Sequence, residues 1–401
     1  MPASAAPNYQ RTIYSCFLGY IVQAIVNNFA PLLFLTFQST YGIPLSMITV
    51  LVTFNFVIQL LTDFLSSFAV DRIGVRPCII LAHVMSGAGL ICLGILPEVL
   101  PAPFAGLLIS VMIYAVGGGL IEVLVSPIVE ACPSDNKESA MSLLHSFYCW
   151  GHAGVIMIST LYFRICGIAN WRYLAFAFAA FAFANAFAFV TAPLAPFVQE
   201  GETGMRLPEL IRSRLFWLLM LMMVCAGASE QAVSQWASTF AEHALSVSKT
   251  VGDLAGPLMF ALLMGTSRAF YGKFGERINL DRFMGFSSAL CIVSYLLIVL
   301  SPNAVLSLTG CALTGLSVGI MWPGTFSKAS AALKNGGTVL FAMLALAGDV
   351  GCSSGPTVAG FVSGVCGDNL KAGIGAAIVF PVLLLVLIAV LARDRRAQKQ
   401  S

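Results

Sequence analysis

Three carboxylates stand inside long apolar stretches of this 401-residue sequence: Glu122 in GGGLIEVLVSPIVE, Glu230 in GASEQAVSQW and Asp349 in LALAGDVGC. An ionised carboxylate near the centre of a bilayer costs at least ~2.5–3.5 kcal/mol, and a low dielectric favours its neutral form. A group that is neutral or charged according to its surroundings suits proton coupling. Glu122 is our first candidate for proton exchange; a hydrogen bond to a neighbouring helix, or a pair with a remote Arg, is the structural alternative.

Glu230 and Asp349 are the candidates for a second coupling acid. Asp349 has a structural alternative of its own, a charge pair with Arg268, which also lies within an apolar stretch. His145 and His152 are seven residues apart on one predicted helix and could relay protons, or could each simply bond a neighbouring helix.

Amide and aromatic side chains also recur within the apolar stretches. Sugar hydroxyls require hydrogen-bond donors and acceptors, and the CH faces of a sugar ring stack on tryptophan. For each of these residues a hydrogen bond or packing between helices is the competing interpretation. The ligand-binding candidates are Gln23, Asn27, Asn28, Asn55, Gln59, His145, Trp150, Gln231, Gln235, Trp236 and Trp322.

The elements that carry these residues are predicted membrane helices. Only 10% of the residues are charged and 58% are hydrophobic, whereas an average soluble domain has roughly 25% charged residues. About 20 apolar residues of helix cross the ~30 Å hydrocarbon layer. We predict an all-α integral membrane protein with twelve spans, at 13–37, 45–70, 77–97, 103–131, 138–163, 171–193, 214–239, 250–272, 282–301, 304–331, 338–363 and 371–392.

The distribution of basic residues predicts the orientation of these spans. Cytoplasmic loops carry an excess of Lys and Arg. If both termini are cytoplasmic, sixteen of the 21 Lys and Arg residues lie on that side and four on the other. The net charge of +3 therefore reflects topology and does not indicate nucleic-acid binding.

Two sequence repeats divide the chain into similar halves. DRIGVR (71–76) follows the second span and GKFGER (272–277) follows the eighth. Gly119 and Pro127 of the fourth span recur as Gly315 and Pro323 of the tenth. We predict two parallel six-helix halves, 1–193 and 214–401, joined by a cytoplasmic linker at 194–213. Such halves with a binding site at the midplane are a known transporter architecture.

The stretch SFAVDRIGVRP resembles the loop signature of the major facilitator superfamily, GxxxDRxGxR, with Ser67 in place of the first Gly. The resemblance covers essentially the whole chain through its span count and its two loop copies. It implies a gating role for this loop, in which Asp71 meets a helix end or an arginine. The gating residues are then Asp71, Arg72, Gly74, Arg76, Lys273, Gly275 and Arg277.

Within that superfamily, three segments resemble the fucose permease group of sugar:proton symporters. GGGLIEVLVSPIV matches its fourth span, with Ser126 in place of an Asn, and GASEQAVSQW matches its seventh. The stretch 321–356 contains its Trp-Pro-Gly and Gly-Asp-x-Gly-Cys segments. The resemblance implies that Glu122 takes part in proton coupling and that Asn27 and Asn28 contact the solute. Pro31 stands where that group has an aspartate, which argues against fucose itself.

The sequence thus predicts a secondary active transporter, a proton-coupled symporter of a sugar or similar small polar solute, in a bacterial inner membrane. The alternatives are a proton-coupled exporter of drugs or metabolites and a non-transporting membrane sensor. We expect a monomer that uses no cofactor or metal, binds no nucleic acid and is not an enzyme. Phosphate-cradling loops, nucleophile elbows and zinc-binding helices are not found in the sequence.

Overall fold

The computed structural model describes residues 9–133, 137–195, 207–274, 278–333 and 337–400. These ranges are mostly helical and contain no strand, so the predicted all-α class is confirmed. Nine runs of helix in the described residues are long and apolar enough to cross a membrane. They coincide with nine of the predicted spans, and the other three predicted spans are also helical.

The helices of the first predicted half follow the apolar stretches closely. The first span continues from α1 through a 3-10 turn, Ala30–Leu33, into α2. Pro31 lies in that turn and lacks the N–H that a regular helix would use there. The bounds are α1 Gln10–Asn28, α2 Phe34–Tyr41, α3 Leu45–Ile73, α4 Val75–Val99, α5 Pro103–Ala131, α6 Lys137–Cys166 and α7 Trp171–Thr191.

The helices of the second predicted half are more often interrupted. A π-helical segment, Phe240–Ala244, ends the seventh span, and another, Leu254–Leu258, divides the eighth at Pro257. The tenth span is divided after Val318. The bounds are α8 Leu207–Ile211, α9 Arg214–Ser234, α10 Ala237–Thr239, α11 Lys249–Asp253, α12 Met259–Phe274, α13 Leu280–Leu300, α14 Ala304–Val318, α15 Met321–Ala332, α16 Gly337–Val365, α17 Leu370–Ala376 and α18 Val379–Gln400.

Two compact units are formed by the described residues. The first holds those of Met1–Phe29, Ile58–Val155 and Ile165–Glu200, and the second holds those of Ala30–Val57, Ile156–Arg164 and Gly201–Ser401. Their bounds differ from those of the predicted halves, because the 3-10 turn, α2 and parts of α3 and α6 belong to the second unit. The division into six and six spans stays a prediction.

The first unit packs its helices closely through glycine. A Cβ atom on Gly117 of α5 would collide with the backbone of α4 at Ala82 and Ser86, and Gly89 of α4 likewise meets the backbone of Tyr114. The apolar core beside this contact includes Phe17, Tyr20, Ile79, Ile121, Leu124, Val125 and Phe189. α4 and α5 therefore form a rigid pair, and α5 carries Glu122.

In the second unit, α9 and α16 make the corresponding close contact. A side chain at Gly227 would meet the carbonyl of Gly348, and one at Gly355 would meet that of Ala228. Tyr295 of α13, fully enclosed, donates to the carbonyl of Ser229 over 2.8 Å. These contacts fix the segment of α9 that carries Glu230.

Candidate functional site

Glu122 ends a chain of hydrogen-bonded amides in the first unit. Gln23 Nε2 donates to Glu122 Oε2 over 3.1 Å and to Gln59 Oε1 over 3.0 Å. Gln59 Nε2 in turn donates to Asn27 Oδ1 over 2.8 Å. Polar side chains from helices α1, α3 and α5 thus meet in one hydrogen-bonded group. We call Glu122, Gln23, Gln59 and Asn27 the Glu122 chain.

Two glycines allow α5 to approach these amides. A Cβ atom on Gly118 would lie 3.0 Å from Gln23 Oε1, and one on Gly119 would lie 2.8 Å from Asp63 Oδ1 and 2.9 Å from the carbonyl of Gln59. Larger side chains would force α1 and α3 away from α5. The glycines of α5 therefore allow a close approach to α1 and α3, which brings Glu122 within reach of Gln23.

Gln23 is only 2% exposed, and its Oε1 atom has no hydrogen-bond partner within the described ranges. A buried acceptor without a donor costs on the order of 1–3 kcal/mol. Such a group gains free energy from any hydroxyl or N–H that reaches it. The Glu122 chain therefore combines a carboxylate with an amide oxygen that can accept one more hydrogen bond.

Asn27 and Asn28, adjacent in sequence, have different roles in the structure. Asn27 accepts from Gln59, as described above. Asn28 Nδ2 instead donates to the carbonyl of Ala24, one turn earlier in the same helix, over 2.9 Å. Asn27 is thus joined to the Glu122 chain, whereas the donor of Asn28 is used within α1.

Two other candidates of the first unit, Ser126 and His145, lie beside Tyr20. Its hydroxyl is 3.0 Å from Ser126 Oγ, and its ring centroid is 5.5 Å from that of His145. His145 and Trp150 are exposed on α6, whereas His152, about two turns after His145, is buried. Ser126 and His145 therefore share Tyr20 as a neighbour.

In the second unit, Glu230 accepts from a cation as well as from an amide. Arg268 Nη2 donates to Glu230 Oε2 over 3.3 Å, and Gln231 Nε2 donates to Glu230 Oε1 over 3.2 Å. Gln235 Nε2 donates to Gln231 Oε1 over 3.1 Å. Arg268, considered from sequence as a partner for Asp349, thus forms an ion pair with Glu230. Asp349 is buried on α16.

The two tryptophans proposed for the second unit are packed against protein. None of the Trp236 side chain is exposed, and its N–H donates to the carbonyl of Pro356 over 3.0 Å. Phe34 and Gly360 enclose its ring. The ring of Trp322 lies against Gly348, where a Cβ atom would collide with it. In this conformation both rings support helix packing.

The loop 71–76 closes on the end of α7. Gly74 has φ +96°, which favours glycine, and it separates α3 from α4. Arg76 Nη1 donates to the carbonyls of Phe189 and Val190, each over 2.8 Å. A cation there offsets the partial negative charge of a helix C-terminus. Arg72 and Lys273 are exposed; the side chain of Asp71, together with Gly275 and Arg277, lies outside the described residues.

Sequence reasoning missed Asp63, which is buried on α3 and lies against Gly119. The signal was present, because Asp63 is an acid inside a predicted span and meets the criterion that selected Glu122. It also missed Asp253, which is enclosed near the start of the eighth span.

Comparison with known proteins places the fold. Residues 16–356 match the family model described as Major Facilitator Superfamily. No curated protein matches the sequence significantly. Among solved structures, a bacterial homolog of the human lysosomal transporter Spinster, in an inward-facing and occupied conformation, aligns with TM-score 0.77 and 14% identity, over 97% of this chain and 98% of that one.

Two sugar:proton symporters have the same fold. The E. coli fucose:proton symporter FucP aligns with TM-score 0.66 and 14% identity, over 95% of this chain and 98% of that one. A D-xylose-proton symporter aligns with TM-score 0.73 and 13% identity, over 95% and 97%. At these identities the likeness is one of fold.

Proposed function

The chain belongs to the Major Facilitator Superfamily, and from that premise we propose that it is a proton-coupled symporter of a sugar or similar small polar solute. Membership makes it a multi-pass membrane transporter rather than an enzyme. The single observation that carries the finer proposal is the Glu122 chain, with Gln23 Nε2 3.1 Å from Glu122 Oε2.

The Glu122 chain provides a physical link between a proton and a solute. As a carboxylate, Glu122 accepts from the Gln23 amide. As a carboxylic acid, it carries one additional O–H donor. Gln23 Oε1 is a buried acceptor that lacks a donor. Protonation of Glu122 therefore changes the balance of donors and acceptors that a solute hydroxyl encounters at Gln23, Gln59 and Asn27.

The chemistry of these groups favours a neutral, hydroxyl-rich solute. Amides donate and accept at fixed positions, so a site built to pair with hydroxyls discriminates strongly against analogues that lack them. Two proteins of similar fold are a fucose:proton symporter and a D-xylose-proton symporter. These similarities support the sugar class, while Pro31 argues against fucose itself.

The remaining candidate residues take secondary places in this proposal. Asp349 is proposed as a second coupling acid, and Glu230 ranks below it because Arg268 already pairs with Glu230. Asn28, Ser126 and His145, with Trp150, Gln231, Gln235, Trp236 and Trp322, stay proposed solute contacts for other states of the cycle, with smaller contributions to solute affinity than those of the Glu122 chain.

The proposed cycle uses the predicted topology. The halves 1–193 and 214–401 rock about the site, with both termini cytoplasmic in an inner membrane and the transporter acting as a monomer. The loop 71–76 is proposed to close the cytoplasmic side, and the contact of Arg76 with the end of α7 supports this role.

The test is uptake of labelled monosaccharides into proteoliposomes, with and without an inward proton gradient. Wild type and Glu122→Gln are compared with Glu98→Gln, which removes an exposed carboxylate that pairs with Arg172 at the end of α4. We expect the gradient to drive accumulation by the wild type and Glu98→Gln and not by Glu122→Gln. If no sugar enters under any gradient, the solute class is wrong.

The alternatives give different outcomes in the same vesicles. An exporter of apolar drugs would accelerate the loss of a hydrophobic dye and leave sugars outside. A sensor would move neither. Equal accumulation by wild type and Glu122→Gln would overturn the role of Glu122 and make Asp349 the next residue to test.

A further inference from the structure

A second group of charged residues lies in the second unit, apart from both acids discussed above. Lys249 Nζ is 3.0 Å from Glu242 Oε1 and 3.1 Å from Asp253 Oδ2. Ser238 Oγ donates to Asp253 Oδ1 over 2.5 Å, and Thr160 Oγ1 donates to Asp253 Oδ2 over 3.4 Å. None of Asp253 is exposed. We call these five residues the Asp253 cluster.

The charges of the Asp253 cluster explain why it needs hydroxyl donors. Glu242 and Asp253 are two acids, and among the described residues Lys249 is the base that pairs with both. A buried carboxylate requires hydrogen bonds in addition to its share of one cation. Ser238 and Thr160 supply two of these bonds to Asp253. Loss of Thr160 would therefore leave one oxygen of Asp253 with Lys249 as its remaining described partner.

The hydroxyl of Thr160 comes from a distant part of the sequence. Thr160 lies near the end of α6, in the first predicted half, while the other four residues of the cluster lie between positions 238 and 253. Phe163 makes a second contact from α6, with its ring centroid 5.8 Å from Lys249 Nζ. Residues Ile156–Arg164 accordingly group with the second unit, although the preceding part of α6 belongs to the first.

The position of the cluster along the spans puts it on the membrane face opposite the loop 71–76. Successive spans cross in alternate directions, so α6 begins on the face of that loop and Thr160 lies near the other face. π-Helical segments, Phe240–Ala244 and Leu254–Leu258, flank α11. Such segments depart from the regular helical ladder and are frequent at functional sites.

We propose that the Asp253 cluster is a latch that holds the end of α6 to the second half while the face opposite the loop 71–76 is closed. Opening of that face requires Thr160 to leave Asp253 and Phe163 to leave Lys249. The proposal of a latch assumes transport by alternating access, as proposed above. It assumes nothing about which solute is carried or whether a proton is coupled. Nothing in the Glu122 chain takes part in it.

Hydrogen–deuterium exchange on the full-length transporter in nanodiscs, without solute, tests the latch. The variants are Asp253→Asn and Thr160→Val, with Thr160→Ser as the conservative variant that keeps the hydroxyl. Asp253→Asn leaves Glu242 and Lys249 as a balanced pair, so no buried charge loses its partner. Arg172→Gln is the matched control, because it breaks an exposed ion pair with Glu98 within the first half.

We expect exchange at 156–166 to rise about tenfold in Asp253→Asn and Thr160→Val, the effect of losing one hydrogen bond to a charged group. Exchange at 70–78, on the opposite face, should fall, because opening of one face closes the other. Thr160→Ser and Arg172→Gln should resemble wild type. A rise confined to 156–166, or no change in Thr160→Val, would show a local packing contact and overturn the latch.

Discussion

Each compact unit holds a carboxylate that accepts from an amide, the half-buried Glu122 in the first unit and the buried Glu230 in the second, and Glu230 also pairs with a cation. Glu122 accepts from Gln23, which belongs to a chain of amides that continues to Asn27. Glu230 accepts from Arg268 as well as from Gln231. A nearby positive charge favours the ionised form of a carboxylate, whereas amides can adapt to either form. On this difference we base the proposal that Glu122 exchanges the proton and that Glu230 keeps a paired charge.

The largest expected effect is on stability, when the cation of the second unit is removed. Arg268→Gln leaves Glu230 buried without its ion-pair partner, and we expect a loss of about 3 kcal/mol in the free energy of unfolding. Glu122→Gln replaces an acid by an amide of the same shape among amides and should cost less than about 1 kcal/mol. Thermal unfolding of both variants in the same detergent measures the two losses of stability. Equal losses would contradict the proposed difference between Glu230 and Glu122.

A double variant sharpens that result. Arg268→Gln combined with Glu230→Gln removes both charges, so no buried carboxylate remains without a cation. We expect stability to return to within about 1 kcal/mol of wild type, because replacing a whole buried pair is often near neutral. If the double variant is no more stable than Arg268→Gln, the ion pair at 3.3 Å is not the source of the loss.

The amides next to each acid should differ in their effect on transport. Gln23→Leu removes the donor to Glu122 and to Gln59, and we expect solute affinity to fall about tenfold. Charged Glu122 also loses a donor, so half-maximal uptake should move to higher pH. Gln231→Leu leaves Arg268 on Glu230 and should change neither quantity by more than about twofold. Solute uptake is measured as a function of pH for both variants. Similar pH profiles would show that Gln23 and Gln231 do not differ in their effect on transport.

The smallest expected effect is the difference in solute affinity between variants of the adjacent Asn27 and Asn28. Asn27→Leu removes the acceptor of Gln59 and should weaken solute binding by roughly threefold to tenfold, the value of one neutral hydrogen bond. Asn28→Leu removes a bond within α1 and should leave affinity unchanged within about twofold. Competition binding measures both. A larger effect at Asn28 would place it, rather than Asn27, in the solute site.

The twelve spans could be predicted because apolar length alone identifies a membrane helix. The interruptions could be predicted only in part. Pro31 explains the 3-10 turn after α1, and Pro257 lies in a π-helical segment. The break between α9 and α10 follows Gln235 without a proline or glycine there, so the sequence carried no comparable signal. The predicted halves also could not reveal that part of α6 packs in the second unit, because periodicity does not specify contacts between distant spans.

The candidate site could be predicted as a set of residue types but not as a set of contacts. Glu122, Gln23 and Gln59 stood out because polar atoms in an apolar run are costly. Their connection through Gln23 depends on the rotation of three helices, which no single-sequence pattern specifies. Asn27 and Asn28 look equivalent in sequence, yet only one joins the chain. Trp236 looked like a stacking surface, yet Phe34, Gly360 and Pro356 enclose it.

The measurement that tests the central claim most directly compares two transport modes in one variant. Proteoliposomes with Glu122→Gln are assayed for counterflow, which exchanges solute without a gradient, and for accumulation driven by a proton gradient. Our account predicts that counterflow persists near the wild-type rate while accumulation is lost, because the site survives without its exchangeable proton. Accumulation equal to that of wild type, or loss of both modes together, would contradict the assignment of proton coupling to Glu122.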